Sequence, residues 1–517
     1  MNNPFGVEKV EDAQDFVSRE DSDAVSANFD FYYGDHWQSG VAWCGPIPAT
    51  SDSEYNDVAA EIERGLGSKN VVKELTDRAA NAVTGRNPVW DIVPNRVVDD
   101  ANPVTAEEEQ QVAEAKRLLS NWMEDKDFDK YISKALRQTY LAGKSTLRLF
   151  IPQGFLIDGV VAVDTKKPVD NLYLDSPHPL SASVVTDPNS REKMAVFIGE
   201  SGDDETAELS YLLPVATDRG RVTEISLLVK DQEVSTVQVD LGGRLPMYEM
   251  EMPRLITEQI ASMQKALNLN LTMMTRNSVL GGFLERVILN GQLPGHYDDE
   301  GQFIYEDFAV GAGTVNAIQG IPIVEEATNT IRGYTPATMQ YKDPVSPDTF
   351  LKAADAIYRM MLESSDQLHA LISGDAAASG ESRRQAVASF FAYLRTPKQQ
   401  VDKAGRWTLE TVLAYAGFLT GNPNHFAGLK VNFDSKLDMG AVPTAEIDLT
   451  ERLVKTGIMS LQTAREKIGI ENPEVEARRV ADEKGLVKEL SQVNSDGTSK
   501  LTGVALPNID NNDITED

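Results

Sequence analysis

The feature that most constrains this chain is a pair of long, similarly patterned amphipathic segments that bracket a Gly- and Pro-rich stretch. In MPRLITEQIASMQKALNLNLTMMTRNS (252–278), Ile256, Ile260, Met263, Leu267 and Met274 follow one another at intervals of 4, 3, 4 and 7. In PDTFLKAADAIYRMMLESSDQLHALI (347–372), Phe350, Ala354, Ile357, Met361 and Leu368 repeat those intervals. This is a heptad-like seam. A helix of this size spans roughly 40 Å, and burying such side chains contributes about 1.5–3 kcal/mol each. Pro347 and Asp348 suit a helix start. The spacing predicts two helices flanking a β-like insertion, and by itself it also fits an ordinary buried helix pair.

The rest of the chain reads as α+β. Helical spacing is clear in 69–85, where Gly85 is a stop signal, in 105–125, which opens on Thr105 with acids in its first turn, and in 128–144. PVWDIVP (88–94) reads as a strand. From 146 to 250, short β-rich runs split by Gly, Pro, Asn and Asp predict antiparallel sheet. SGDAAASGE (373–381) is small and flexible in character. A long helix follows at 382–419, with Pro397 inside it expected to kink it. Residues 428–438 read as a strand, 444–470 as two helices around Gly457, and 472–490 as a terminal helix. The polar, acidic ends, 1–27 and 491–517, read as a flexible arm and a disordered tail.

Net charge is −31, with 41% hydrophobic and 25% charged residues. A protein that grips nucleic acid statically is usually basic, because Lys and Arg neutralise phosphates. An acidic chain that meets DNA suits a conduit better than a clamp. One local contrast stands out: residues 381–406 hold six basic residues (Arg383, Arg384, Arg395, Lys398, Lys403, Arg406) against Glu381 and Asp402, a net of +4. Cys44 is the single cysteine, so no intrachain disulfide forms, which fits a reducing compartment. It reads as a small buried apolar residue. No stretch approaches the ~20 apolar residues of a membrane span, and the acidic N-terminus does not read as a signal peptide.

No motif points to catalysis, a cofactor or a metal. GKST (143–146) imitates the end of a phosphate-binding loop. Gln138 stands where the first Gly is required, however, and a helix precedes the motif where a strand should. Gly143 reads instead as a helix C-cap. His36, His178, His296, His369 and His425 are scattered in sequence, and one Cys cannot build a zinc cluster. No GxSxG elbow occurs. YDDEGQFIYED (297–307) reads as a solvated loop or a partner-facing edge.

Several segments, in order, resemble the portal proteins of tailed bacteriophages, closest to the siphovirus-like type. FDFYYGDHW (29–37) resembles the family's aromatic opening. NVVKELTDRAANAVTGRNPVWDIVP (70–94) is similar to its helix, Gly-x-Pro and strand. TYLAGKSTLRLFI (139–151) resembles its strand entry. GIMSLQTAREKIGI (457–470) with Pro473, Glu474 and Glu476 is similar to its C-terminal helix pair and acidic helix. The resemblance covers roughly 28–490.

The resemblance implies a portal-type subunit. Its α/β wing would be 28–250, with the long kinked helix at 382–420 and a wing strand in 421–443. Its two-helix stem would be 252–277 and 347–372, its β-containing clip 278–346 and its helical crown 444–490. A tunnel loop at 373–381 (Ser373, Gly374, Asp375, Ala376, Ala377, Ala378, Ser379, Gly380), followed by Arg383 and Arg384, would line a DNA channel. The family forms a dodecameric homo-oligomer ring at one capsid vertex of the virion, assembled in the host cytoplasm. Its partners are double-stranded DNA in transit, the terminase motor, the head–tail adaptor and the major capsid and scaffolding proteins; no membrane is involved. It is not an enzyme and needs no cofactor. The competing expectations are another ring-forming virion protein without a DNA channel, and a nucleotide-hydrolysing packaging motor subunit.

Overall fold

A computed structural model describes residues 5–34, 67–97, 102–152, 156–157, 160–161, 167–201, 204–217, 220–229, 232–282, 285–292, 295–300, 302–305, 318–325, 328, 330–342, 345–372, 380–438, 444–458, 460–461, 464–465 and 479–480. Cys44, His36 and nearly all of the C-terminal 466–517 lie outside them. The chain is mixed helix and sheet, α+β, and divides into two compact units, Met1–Asp438 and Met439–Asp517.

The first unit opens with α1 (Val10–Val17) and α2 (Ser22–Tyr33). This corrects the expectation of a flexible arm at 1–27. Val7, Val10, Ala13 and Val17 are buried against Met194, Val196, Leu209, Tyr211 and Leu228 of a sheet. Four small apolar residues at intervals of three and four suffice for one helix face, and the dense acids around them hide it in the sequence. Next come α3 (Val71–Thr84) and β1 (Val89–Pro94), then α4 (Ala106–Asp125) and α5 (Phe128–Ala142). Asn70 caps α3 by accepting from Lys73 N at 3.0 Å. Thr105 and Glu108 form a capping box on α4.

Strand β2 (Lys144–Phe150) follows α5 directly and sits between β5 (Tyr173–Asp175) and β11 (Met247–Glu251); the short β3 (Leu156–Ile157) and β4 (Val160–Val161) pair with each other. Strands β6 (Ala182–Thr186), β7 (Lys193–Ser201), β8 (Asp204–Thr217), β9 (Gly220–Val229) and β10 (Gln232–Val239) form a five-stranded antiparallel meander in the order β10-β9-β8-β7-β6. Successive residues alternate between faces. Leu209 and Leu228 therefore meet α1 on one side. Their neighbours Glu208 and Leu227 face Tyr415 and Phe418 across a cleft on the other.

The expected helix–insertion–helix follows. Helix α6 (Glu258–Gly282) leads into β12 (Glu285–Leu289), β13 (Gly291–Gln292), β14 (Gly295–Tyr297), β15 (Phe303–Tyr305), β16 (Gln319–Gly320), β17 (Pro322–Glu325), β18 (Thr330–Tyr334) and β19 (Thr338–Lys342). These pair only as two-stranded antiparallel ribbons: β12-β19, β13-β16, β14-β15 and β17-β18. Helix α7 (Pro347–Ser364) returns and packs against α6. A turn leads to the short α8 (His369–Ile372), then to α9 (Gly380–Leu419), a 40-residue helix with Pro397 inside it. Last in the unit, β20 (Leu429–Asp434) pairs with β1, with Ile92 opposite Val431. In the second unit, α10 (Thr444–Lys455) ends at Gly457, whose φ is +76°.

Helix α9 approaches β20 at a glycine. A Cβ on Gly405 would come within 2.6 Å of the Phe433 ring. That ring is 5% exposed and backed edge-on by Phe128 at 5.9 Å. Alanine is worth about 1 kcal/mol more than glycine inside a helix, whereas overpacking a core costs about 1–3 kcal/mol. Gly405→Ala is therefore expected to lower the urea midpoint of unfolding. A higher midpoint would mean the Phe433 ring yields freely and the approach is not tight.

Candidate functional site

The candidate site is the α6–α7 hairpin, its anchorage on α3, and the junction into α9. The seams only partly coincide with the buried faces. Ile260 and Leu267 are buried on α6, but Ile256, although buried, precedes the helix, and Met263 and Met274 are half-buried. The other buried residues on that face are polar: Gln264, Asn268 and Thr272. On α7, Ala354 and Met361 are buried, Phe350 and Ile357 are half-buried, and Leu368 lies past the helix end. The expected helix at 347–372 breaks after Ser364. Asp366, at φ +56°, turns the chain there, and Asp tolerates that region better than most residues.

Both legs of the hairpin hold α3. Gln264 Oε1 accepts from Val71 N at 2.9 Å and Val72 N at 3.2 Å. These belong to the helix's first turn, whose N–H groups lack intrahelical partners. Gln264 Nε2 donates to Lys69 O at 2.8 Å and Asn268 Oδ1 at 2.9 Å. Thr272 Oγ1 accepts from Gly67 N at 3.2 Å. From α7, Tyr358 donates to Glu74 Oε1 at 2.6 Å, and Lys69 Nζ stands 3.5 Å above the Tyr358 ring. From the turn, the buried Gln367 donates to Leu75 O at 2.9 Å and accepts from Arg78 at 3.0 Å. Where the helices meet the insertion, Asn277 Nδ2 donates to Val345 O at 2.5 Å and its Oδ1 accepts from Val345 N at 3.1 Å.

The expected tunnel residues divide. Ser373 to Ser379 lie outside the described residues, and Gly380 is already the first residue of α9. Arg383 and Arg384 lie in the opening turns of α9. Beneath this junction, His369 stacks on Phe390 with centroids 4.3 Å apart, Phe390 on Tyr393 at 6.4 Å, and Tyr393 on the fully buried Tyr140 at 6.4 Å. His369 Nδ1 is buried without a hydrogen-bond partner. Burial, with the positive charge of Arg78 adding to it, pushes the ring down to about 4 from 6.5.

The GKST segment runs from helix to strand. Gly143 has φ +81°, as a C-cap requires. Lys144 donates to Ser183 Oγ at 3.0 Å and lies 3.6 Å from Glu249. The buried Ser145 hydroxyl donates to Ala135 O at 2.8 Å. These side chains are engaged in holding α5, β2 and β6 together. At 297–305, Asp298 Oδ1 accepts from Glu300 N at 3.0 Å and Gln302 N at 2.7 Å, closing the β14–β15 turn. Among the described residues, no three or more His, Cys, Asp or Glu gather where they could hold a metal ion, and no helix is long and apolar enough to cross a membrane.

Sequence reasoning missed Gln264, Asn268, Thr272 and Gln367. The signal was present: the first three recur every four residues beside the apolar seam, which is the spacing of one helix face. No protein-family model matches the chain, and no curated protein matches it.

Gln264→Leu keeps the volume and removes four hydrogen bonds. Each buried group left unpaired costs about 1–3 kcal/mol, so stability should fall by at least that much. Hydrogen exchange at Val71 and Val72 should accelerate with it. Unchanged exchange there would show that α3 does not depend on this amide. His369 gives a pH signature. Above pH 6.5 the ring is neutral folded or unfolded. As pH falls from 6.5 towards 4, only the unfolded chain takes up the proton, so stability declines through that window. His369→Phe should remove that component of the pH-dependent loss. A variant with the wild-type pH profile would exclude His369 as the source.

Proposed function

We propose that this chain is the subunit of a tailed-phage portal: a homo-oligomeric ring at one capsid vertex, a dodecamer by the family resemblance, through which double-stranded DNA is packaged and later ejected. It would dock the terminase first and the head–tail adaptor afterwards. The observation that carries the reading is the α6–insertion–α7 hairpin. Its insertion consists of two-stranded ribbons, which are marginal alone in water. Ile321, Ile323, Ile331 and Tyr334 are 50%, 52%, 54% and 51% exposed on or beside one of them. Leu289, Ile304 and Val324 are exposed on the insertion as well. So much apolar surface on one projection asks for cover by other chains, and a ring supplies that cover at each copy by the next.

The order of parts agrees with this reading. The α/β region before the hairpin serves as the wing, α6 and α7 as the stem, 283–346 as the clip, and α10 onward as the crown. In chain order the segment 373–379 falls between stem and long helix, where the family has its tunnel loop. Net charge of −31 favours a passage over a clamp, since translocating DNA needs weak, exchangeable contacts. The role of the DNA rests on the resemblance and on this charge.

The purified protein is expected to form rings with a central hole in negative-stain images. A monodisperse monomer at every concentration and ionic strength tried would overturn the portal reading.

A further inference from the structure

The net-basic stretch at 381–406 has a face that the described residues of the single chain leave unneutralised. On α9, Arg395, Gln399 and Lys403 follow at intervals of four and are exposed; Arg406, three residues on, is half-buried. These steps place them on one side of the helix. Their neighbour Lys398 is already taken up, 2.7 Å from Asp402 and 2.5 Å from Asp434. Among the described residues Arg395, Lys403 and Arg406 enter no ion pair, and Arg406 Nε is buried without a hydrogen-bond acceptor. Phe391, one turn before Arg395, is 38% exposed.

The complementary face is on α1 and the residues that lead into it. Glu8, Glu11 and Asp15 are exposed at intervals of three and four, on the side away from the buried Val10, Ala13 and Val17. Among the described residues none of the three is in an ion pair. Exposed Glu205 on β8 extends this face and is tied to α1 by Gln14 Nε2 at 2.9 Å. Lys9 flanks the stripe. The two stripes are similar in length: Glu8 to Asp15 is a step of seven residues and Arg395 to Lys403 one of eight, each roughly 10–12 Å at helical rise, and Arg406 extends the basic one by three residues. The α1 face and the C-terminal turns of α9 lie on opposite sides of the five-stranded sheet. Leu209 and Leu228 face α1, whereas Glu208 and Leu227 face the C-terminal turns of α9.

We propose that neighbouring copies bind head to tail through these stripes, with the Arg395, Lys403 and Arg406 face of one copy against the Glu8, Glu11 and Asp15 face of the next. The inference rests on the ring-forming reading above and adds which surfaces meet. Two different patches meeting head to tail make a heterologous contact, which closes into a ring where the rotation between copies allows it. Complementary charge fixes orientation and excludes wrong partners. Duplex DNA is the competing occupant of the basic stripe. Three cations over that length engage few phosphates, and Phe391 at the end of the stripe suits a protein surface better.

The test uses two full-length double variants, Arg395→Glu with Lys403→Glu and Glu11→Lys with Asp15→Lys. Assembly is followed by light scattering and negative stain at low salt. The substituted residues are exposed, so melting temperatures should stay near wild type. Each variant alone should lose at least nine-tenths of its rings. An equimolar mixture should recover them, because every reversed face then meets its complement in alternating order. Wild-type assembly by either variant, or a mixture that stays dissociated, would overturn the proposal. So would an Arg395→Glu, Lys403→Glu variant that assembles normally but loses binding to a short DNA duplex, which would assign the stripe to DNA. Wild type run alongside separates the two readings: if it too is monomeric, the ring reading itself falls.

Discussion

The position of the α6–α7 hairpin depends on one buried amide. Gln264 is fully enclosed, and both ends of its carboxamide are used, two N–H groups of α3 on the oxygen and two oxygen acceptors on the nitrogen. An apolar side chain there would leave Val72 N without a partner, and Lys69 O without the amide's N–H, in a place water does not reach. A seam made only of methyl and methylene groups is non-directional, so two helices joined by it can slip or rotate at modest cost. A hydrogen-bonded amide admits one register. Thr272 repeats the device two turns along, and Tyr358 and Gln367 apply it from the returning leg. Both legs therefore grip the same helix, and α3 sets where the hairpin leaves the α/β body that precedes it.

Only part of this arrangement is legible in the sequence. The 4, 3, 4, 7 intervals found both helices and the β character between them, because burial of one face is a periodic property. They did not find which residues face inward. Gln264, Asn268 and Thr272 look like the solvent side of an amphipathic helix unless the partner is known to be a helix N-terminus. The break after Ser364 was hidden for a related reason: Asp366 makes the turn without Gly or Pro, and Gln367 holds it by bonds to residues nearly three hundred positions away in the chain. Helix α1 was hidden by composition. Its acids made 1–27 look unable to fold, but a sheet face needs only Val7, Val10, Ala13 and Val17 to hold it. The GKST segment was readable because the order of elements, helix before strand, is a local property.

On the ring reading, the hairpin and the body of each copy would use different forces. On the insertion the exposed groups are Ile, Val, Leu and Tyr; on α1 and α9 they are carboxylates, guanidinium and ammonium groups. Apolar burial can supply most of the free energy of association, at roughly 25 cal/mol per Å², but it says little about angle. Exposed ion pairs are each worth about 0–1 kcal/mol, too little to hold a ring, yet they are strongly orientation-dependent and repel when misplaced. A copy that docks its insertion on a neighbour at the wrong rotation sets acidic surface against acidic surface in a chain carrying −31, and that repulsion is long-ranged at low salt. On the proposed reading, the apolar projection provides adhesion and the charged stripes provide direction. A closed ring needs both, because adhesion without a fixed angle between copies yields open or irregular chains.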